Sequence, residues 1–457
     1  MINFENVEKS GIKYKLLYKY CRFVHNNLYY SKFYILNKEK IPEKQAIVLI
    51  SNHQNGLSDA MGLIFALRNK TKVPVFIARA DIFKKKLNAK LLRFLRIMPA
   101  YRQQDTGKEN LGENEKIFSK SARILLENGV VGLFPEAGHE DCHHLGTFKK
   151  GFARIAFQAA EMSNFEKKIY ILPCSNHYSN YFGFQNKLII TIGEAFTFDD
   201  LYPLYKEQPK RAQKLLADRA RTLVKPLMLD IEDKNLYEEF IILKNIYAKI
   251  LVKKRKQKIS YYPNIFEAEK DIVNQIQNLK ITNEIKFNEI IDKAHKYTHK
   301  IDKIHLNDIV ISEKFNLAIF LFRFFIAILI TPFLIYGFIN NFFAYYSTTL
   351  ITRRFKDQML HSSFAFGFRS LLTFPLCYFV GFALCWFFTG IWWIALIYFI
   401  SLPLSLVVYL RGKSLWQRQL QRFRKFRYWL EGFYLYRQSV ELRNEIITEL
   451  DEIFAKF

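Results

Sequence analysis

Apolar positions change their spacing several times along the chain, and each change marks a different kind of element. Residues 46–51, 74–78, 130–134, 169–173 and 188–192 are short apolar runs, as in Ala46-Ile47-Val48-Leu49-Ile50. Runs of that length bounded by polar residues read as strands buried on both faces. Stretches with helical spacing separate them. Segment 41–204 is therefore expected to be α/β, a mostly parallel sheet flanked by helices, with its site beyond the carboxyl ends of the strands. Ahead of it, residues 12–36 alternate Lys or Arg with Tyr, Leu, Phe and Val, as in Tyr14-Lys15-Leu16-Leu17-Tyr18-Lys19-Tyr20. Segment 1–40 is read as an amphipathic helix lying against that domain or in a membrane interface.

Beyond the sheet pattern, 205–314 turns charged and helix-periodic, divided by Pro226 and by Tyr261-Tyr262-Pro263-Asn264. A helical subdomain packing on the catalytic unit is expected there. Phe, Leu, Ile and Trp then dominate 315–410, where about 20 such residues suffice to cross ~30 Å of hydrocarbon as a helix. Residues 370–410, interrupted at Thr389-Gly390, fit a hairpin of two spans. Arg353, Arg354 and Lys356 precede that hairpin, and Arg411, Lys413, Arg418, Arg422, Arg424, Lys425 and Arg427 follow it in the basic helical tail 411–457. The positive-inside rule puts both flanks in the cytoplasm. With the catalytic domain also cytoplasmic, 315–346 would not cross once, and it is short for two crossings. It is expected to re-enter or lie in the interface as a pair of helices bent near Pro332, with Arg323 and Asn340-Asn341 facing protein or headgroups. A single crossing is the alternative, and it would place one basic flank outside.

A formal charge of +26 suits an anionic membrane, nucleic acid or phosphorylated substrates alike. The 44 Phe and 26 Tyr, crowded toward the C-terminal third, favour lipid, so an anionic membrane is expected as a partner and nucleic acid is not. Cys21, Cys142, Cys174, Cys377 and Cys385 form no CxxC pair and read as free thiols in a reducing compartment. Asn3, Glu5, Glu8 and Lys9 interrupt the apolar core that a cleavable leader would need.

Candidate chemistry centres on Asn52-His53-Gln54-Asn55-Gly56-Leu57-Ser58-Asp59, directly behind the first apolar run. A neutral His is the side chain best suited to take a proton from an alcohol near pH 7, and a carboxylate in reach orients it and stabilises the imidazolium. Six steps along one straight helix would separate His53 from Asp59 by roughly 120°. A turn at Gly56, with Ser58 capping a helix that begins at Asp59, leaves the His in a loop and the carboxylate in the first turn. Backbone N–H groups at that helix start are candidate oxyanion donors. The cluster His139-Glu140-Asp141-Cys142-His143-His144 has neither the helical His pair nor the Cys-pair spacing of a zinc site, so no metal is expected. Gly-x-Ser-x-Gly, P-loop and dinucleotide fingerprints are lacking, which argues against a serine hydrolase, a kinase or a dehydrogenase.

Together with Ile97-Met98-Pro99-Ala100-Tyr101-Arg102, Gly132-Leu133-Phe134-Pro135-Glu136 and Ile171-Leu172-Pro173-Cys174, the His53 to Asp59 block makes the chain resemble the phospholipid/glycerol acyltransferase family from about residue 45 to 195. Three departures stand out. Five residues separate His53 from Asp59 where the family has four, Ala137-Gly138-His139 replaces Gly-Thr-Arg after Phe134-Pro135-Glu136, and the second block shares only its apolar lead and final arginine. The resemblance implies a membrane-bound O-acyltransferase of phospholipid synthesis, its catalytic domain cytoplasmic. It would carry a fatty acyl group from acyl carrier protein or coenzyme A to the hydroxyl of glycerol-3-phosphate or a lysophospholipid, the thioester being co-substrate and no further cofactor being required. It implies His53 and Asp59 as the catalytic pair and Arg102 as the contact to the acceptor's phosphate or carboxylate, a match for the guanidinium fork. Glu136 would shape the acceptor site, Gly138 and His139 line it, and Lys150, in a Lys-Gly step, hold a substrate or coenzyme phosphate. The altered third block keeps open a lyso-amino-acid or sugar-lipid acceptor. An inactive membrane-surface scaffold using the basic tail is the reading from another class.

Overall fold

The computed structural model describes residues 4–101, 112–136, 138, 142–181, 185–352 and 364–455. Two compact units meet in sequence at Met228 and Leu229. The first is built on a seven-stranded sheet ordered β1-β7-β6-β2-β5-β3-β4. Its strands are β1 (Tyr30–Leu36), β2 (Ala46–Ser51), β3 (Val75–Arg79), β4 (Ile97–Ala100), β5 (Val130–Leu133), β6 (Ile169–Tyr178) and β7 (Asn186–Ile192). All neighbours run parallel except β6 and β7. Strand β2 lies centrally between β5 and β6 with all six residues buried, as a continuous apolar run requires.

The five expected strands are present, and two more join them. Residues 30–36 are a correction: the helix α1 (Ile12–Phe23) ends early, a π-turn follows over Val24–Tyr29, and β1 then pairs with β7. Tyr, Phe and Ile suit a strand, and the free edge of β7 supplied the partner. Strand β4 comes from the apolar lead of the block that ends in Arg102, and β6 continues past Pro173 into polar Ser175-Asn176-His177-Tyr178. Helices Glu113–Leu126, Gly151–Met162 and Pro209–Val224 supply core residues that include Phe118, Leu125, Phe152, Phe157 and Leu216. The last of them buries Ala212, Leu216, Ala220 and Val224, one stripe at helical spacing, so the first unit reaches past residue 204.

The second unit packs helices Tyr237–Lys254, Tyr262–Thr282, Glu284–Lys303 and Tyr434–Ala455. Pro263 sits in the first turn of its helix, where a missing N–H costs nothing. Among the described residues three helices are long and apolar enough to cross a membrane: Leu317–Ile351, Phe364–Thr389 and Trp392–Leu430. A left-handed Gly390, φ 69°, forms the tight turn between the last two.

The pair of helices bent near Pro332 is not what forms. One continuous 36-residue helix, Leu317–Thr352, runs through Pro332, a length of about 54 Å. A single proline removes one backbone donor and kinks a helix without having to end it. Side-by-side packing holds this one together. Asn341 donates to Ser405 Oγ at 3.0 Å and accepts from Tyr378 OH at 2.7 Å, while Tyr398 OH donates to Asn340 at 2.5 Å. Asn340 and Asn341 therefore face protein, as polar groups within an apolar bundle must. Arg422 forks onto Glu313 at 2.7 Å and Lys425 donates to the carbonyls of Val310 and Ile311. The basic end of helix Trp392–Leu430 thus lies beside the start of helix Leu317–Thr352, and the two run antiparallel. Arg353, Arg354 and Lys356 lie outside the described residues.

Candidate active site

The site starts where β2 ends. The chain passes Asn52 and His53, turns at Gly56 with φ 46°, a left-handed value that glycine adopts without strain, and enters α2 (Gly56–Ala66). The helix begins three residues earlier than the spacing suggests. Ser58 is not its cap; the Ser58 N–H donates to the carbonyl of Asn55 at 2.9 Å. Asp59 still falls in the first turn, fully buried.

Four donors converge on that carboxylate. The backbone N–H groups of Gln54 and Asn55 reach Oδ2 at 2.8 Å each, Tyr178 OH reaches Oδ1 at 2.6 Å, and His53 Nδ1 lies 2.9 Å from Oδ2. A carboxylate only accepts, so the proton of this contact sits on Nδ1, and Nε2 is the basic nitrogen of the neutral ring. The backbone N–H groups that bind Asp59 belong to the loop ahead of α2. The buried charge of Asp59 is stabilised locally, which is why burial is tolerated.

Glu136, just beyond β5, fixes His53 from the other side. Its Oε1 accepts the His53 backbone N–H and its Oε2 the Gly146 N–H, both at 2.9 Å. Burial pushes its carboxyl up to about 7, against the pull of those two bonds and of His53. The imidazole stacks on Phe134 with centroids 4.1 Å apart and planes at 10°, and Phe134 stacks on Phe76 at 5.7 Å. Gly132 makes room for this column, because a Cβ there would lie 2.6 Å from the Phe76 ring.

A polar network holds the loop. Asn52 exchanges bonds with the backbone of Asn176 at 2.7 and 3.0 Å; Gln54 donates to the Cys142 carbonyl at 2.9 Å and accepts from Tyr181 OH at 3.1 Å. Tyr181 OH also lies 2.7 Å from His143 Nδ1. His143 is thus a buried member of this network.

Of the residues singled out in the sequence, the structure brings together His53, Asp59 and Glu136. Lys150 precedes helix Gly151–Met162, and its ammonium donates to the Lys210 carbonyl at 3.2 Å. A Cβ on Gly138 would meet nothing within 4 Å, so packing does not demand glycine there. Arg102 and His139 lie outside the described residues. Sequence reasoning missed Tyr178 and Asn176, and it gave Phe134 and Gly132 no role of their own within the block that carries the resemblance. Extending β6 through its polar end would have found Tyr178 and Asn176.

Residues 32–177 match the family model described as Acyltransferase, and the chain carries a domain of that family. Two relatives that it matches carry glycerolipid acyltransferase names. Over 106 residues the chain is 31% identical to glycerol-3-phosphate O-acyltransferase 2 of Saccharomyces cerevisiae, covering 23% of this chain and 14% of that protein. Over 164 residues it is 26% identical to a probable 1-acyl-sn-glycerol-3-phosphate acyltransferase of Mycoplasma pneumoniae, covering 34% of this chain and 57% of that one. The chain thus spans less than two thirds of either relative. The crystal structure of the 1-acyl-sn-glycerophosphate acyltransferase PlsC from Thermotoga maritima is a structural neighbour at 17% identity and TM-score 0.30, covering 46% of this chain and 80% of that one.

Proposed function

We propose that the protein is a membrane-bound O-acyltransferase of phospholipid synthesis, moving a fatty acyl group from a coenzyme A or acyl-carrier-protein thioester to the hydroxyl of glycerol-3-phosphate or a lysophospholipid. The observation that carries this is the His53 Nδ1 contact to a buried Asp59 already bound by three other donors. His53 Nε2 takes the acceptor's hydroxyl proton as the oxygen attacks the thioester carbonyl. The tetrahedral intermediate then expels the thiolate, which recovers the proton from the imidazolium, and no acyl-enzyme forms. Asp59 balances the imidazolium charge, while Glu136 holds the His53 backbone and the Phe134 ring fixes the plane of the imidazole.

Arg102 and Lys150 are the proposed cations for substrate phosphates, with Gly138 and His139 lining the acceptor pocket. The catalytic unit is proposed to face the cytoplasm. Replacement of the family's Gly-Thr-Arg by Ala137-Gly138-His139 favours, as a second reading, an acceptor such as a lyso-amino-acid or sugar lipid.

The test is thiol release from acyl-coenzyme A or acyl-carrier-protein by the full chain in nanodiscs, over a panel of these acceptors. His53→Ala and Asp59→Asn are expected to lower turnover by about 10²-fold or more. Near-wild-type turnover in either variant would overturn the mechanism. Arg102→Ala is expected to raise KM for phosphate-bearing acceptors alone.

A further inference from the structure

Away from His53, beside the C-terminal end of α2, the first unit holds a cavity of about 500 Å³ between α1 and residues 64–74. Lys15, Lys19, Arg22, Arg68 and Lys72 line it, together with Tyr18, and no carboxylate does. Elsewhere in this unit cations pair readily, as in Lys40 with Glu194, Lys120 with Glu8, Arg154 with Glu115 and Arg219 with Asp200. The cations that line the cavity do not. Among the described residues Lys15, Lys19, Arg22 and Arg68 form no salt bridge, and the Arg22 Nε is buried without a hydrogen-bond partner. Lys72 spends one proton on the Glu127 carbonyl at 2.6 Å. Five like charges around one concavity repel each other unless an anion joins them.

Helix α1, which carries three of these charges, has three stripes. Tyr14 and Tyr18 pack inward, onto Phe94 at 6.0 Å and Phe65 at 5.5 Å. Lys15, Lys19 and Arg22 form the next stripe, on the cavity. Ile12, Leu16, Tyr20 and Phe23 form the third, and it is exposed, Ile12 by 77% and Leu16 by 62%. Helix α3 (Lys86–Phe94), which touches α1 through Phe94, repeats the pattern, with exposed Leu87 next to Lys86 and exposed Leu91 next to Lys90. Two adjoining helices with apolar stripes edged by cations have the form of a surface that rests in a bilayer interface.

We propose that this cavity binds the phosphate of an anionic phospholipid headgroup, in a bilayer that receives the apolar stripes of α1 and α3. The lipid stands with its acyl chains beside Leu16 and Phe23 and its phosphate among Lys15, Lys19, Arg22 and Arg68. The site is distinct from the His53 centre and does not rest on the acyl-transfer reading.

The test uses the full chain in phosphatidylcholine nanodiscs carrying a trace of photoreactive phosphatidylglycerol or photoreactive phosphatidylcholine, each with the reactive group near its phosphate. Crosslinked peptides are mapped by mass spectrometry. The phosphatidylglycerol probe is expected to label residues 12–23 and 64–74 in preference to the phosphatidylcholine probe. Joint neutralisation by Lys15→Gln, Lys19→Gln and Arg68→Gln is expected to cut that labelling by about tenfold or more, since each cation near an anionic membrane surface adds to the attraction. Leu16→Ser with Phe23→Ser, which leaves the charges intact, is expected to reduce it too. Equal labelling by the two probes, or labelling unchanged by the charge substitutions, overturns the proposal. Loss of labelling on adding millimolar inorganic phosphate assigns the cavity to a free anion and overturns the lipid assignment.

Discussion

The two ends of α2 treat charge in opposite ways. At its start one carboxylate, Asp59, is buried among four donors and neutralised from within. Near its end Arg68 joins a ring of cations that no carboxylate answers. Internal compensation fixes one imidazole in one tautomer and orientation, as proton transfer needs. Uncompensated charge makes a poor catalyst and a good receptor, because its electrostatic stabilisation arrives only with an outside anion.

The comparison breaks most severely at Asp59. Asp59→Ala leaves the Tyr178 hydroxyl and two backbone N–H groups buried without their acceptor, and is expected to cost about 3 kcal/mol or more in chemical denaturation. Gly132→Ala comes next. The Phe76 ring must move, and the Phe134 and His53 rings with it, for an expected loss of about 1–3 kcal/mol, together with a fall in kcat that exceeds any change in KM.

Glu136 sharpens the same comparison through pH. Burial raises its carboxyl to about 7 from 4.5, so the folded protein keeps a proton that the unfolded chain has lost. The stability linked to that proton is complete below about pH 4.5 and is lost as pH rises through about 7. Denaturation midpoints measured across this window should fall with rising pH in the wild type and run flatter in Glu136→Gln. The smallest effect belongs to the other end of α2. Neutralising Lys15, Lys19 and Arg68, all exposed, should shift stability by less than about 0.5 kcal/mol, whatever it does to lipid labelling.

Five strands were legible because each is an unbroken apolar run, too short for a buried helix and too apolar for an exposed loop. Strand β1 was hidden by Lys32 and by the basic, helix-like stretch ahead of it, and the polar end of β6 by the loss of its apolar signal at Ser175. The His53 and Asp59 pair showed itself through a glycine-bearing turn behind a buried strand, although the helix start was misplaced by three residues. What surrounds the pair was not legible. Tyr178 reaches Asp59 only because β6 lies beside β2, and Phe134 lies under His53 only because β5 flanks the other side. Those neighbours are set by strand order, which local spacing does not encode. The single long helix at Leu317–Thr352 was placed second to a bent pair for a related reason: its integrity through Pro332 depends on a partner helix some 60 residues later in the chain.

Cys174 sits in β6 opposite Ser51 on one side and Ile192 on the other, fully enclosed, and burial drives its thiol far from the ionised form. An alkylating reagent reaches that sulfur only when the centre of the sheet parts. Its modification rate in native buffer is therefore a built-in clock for opening of the domain, readable by mass on the one peptide that carries it.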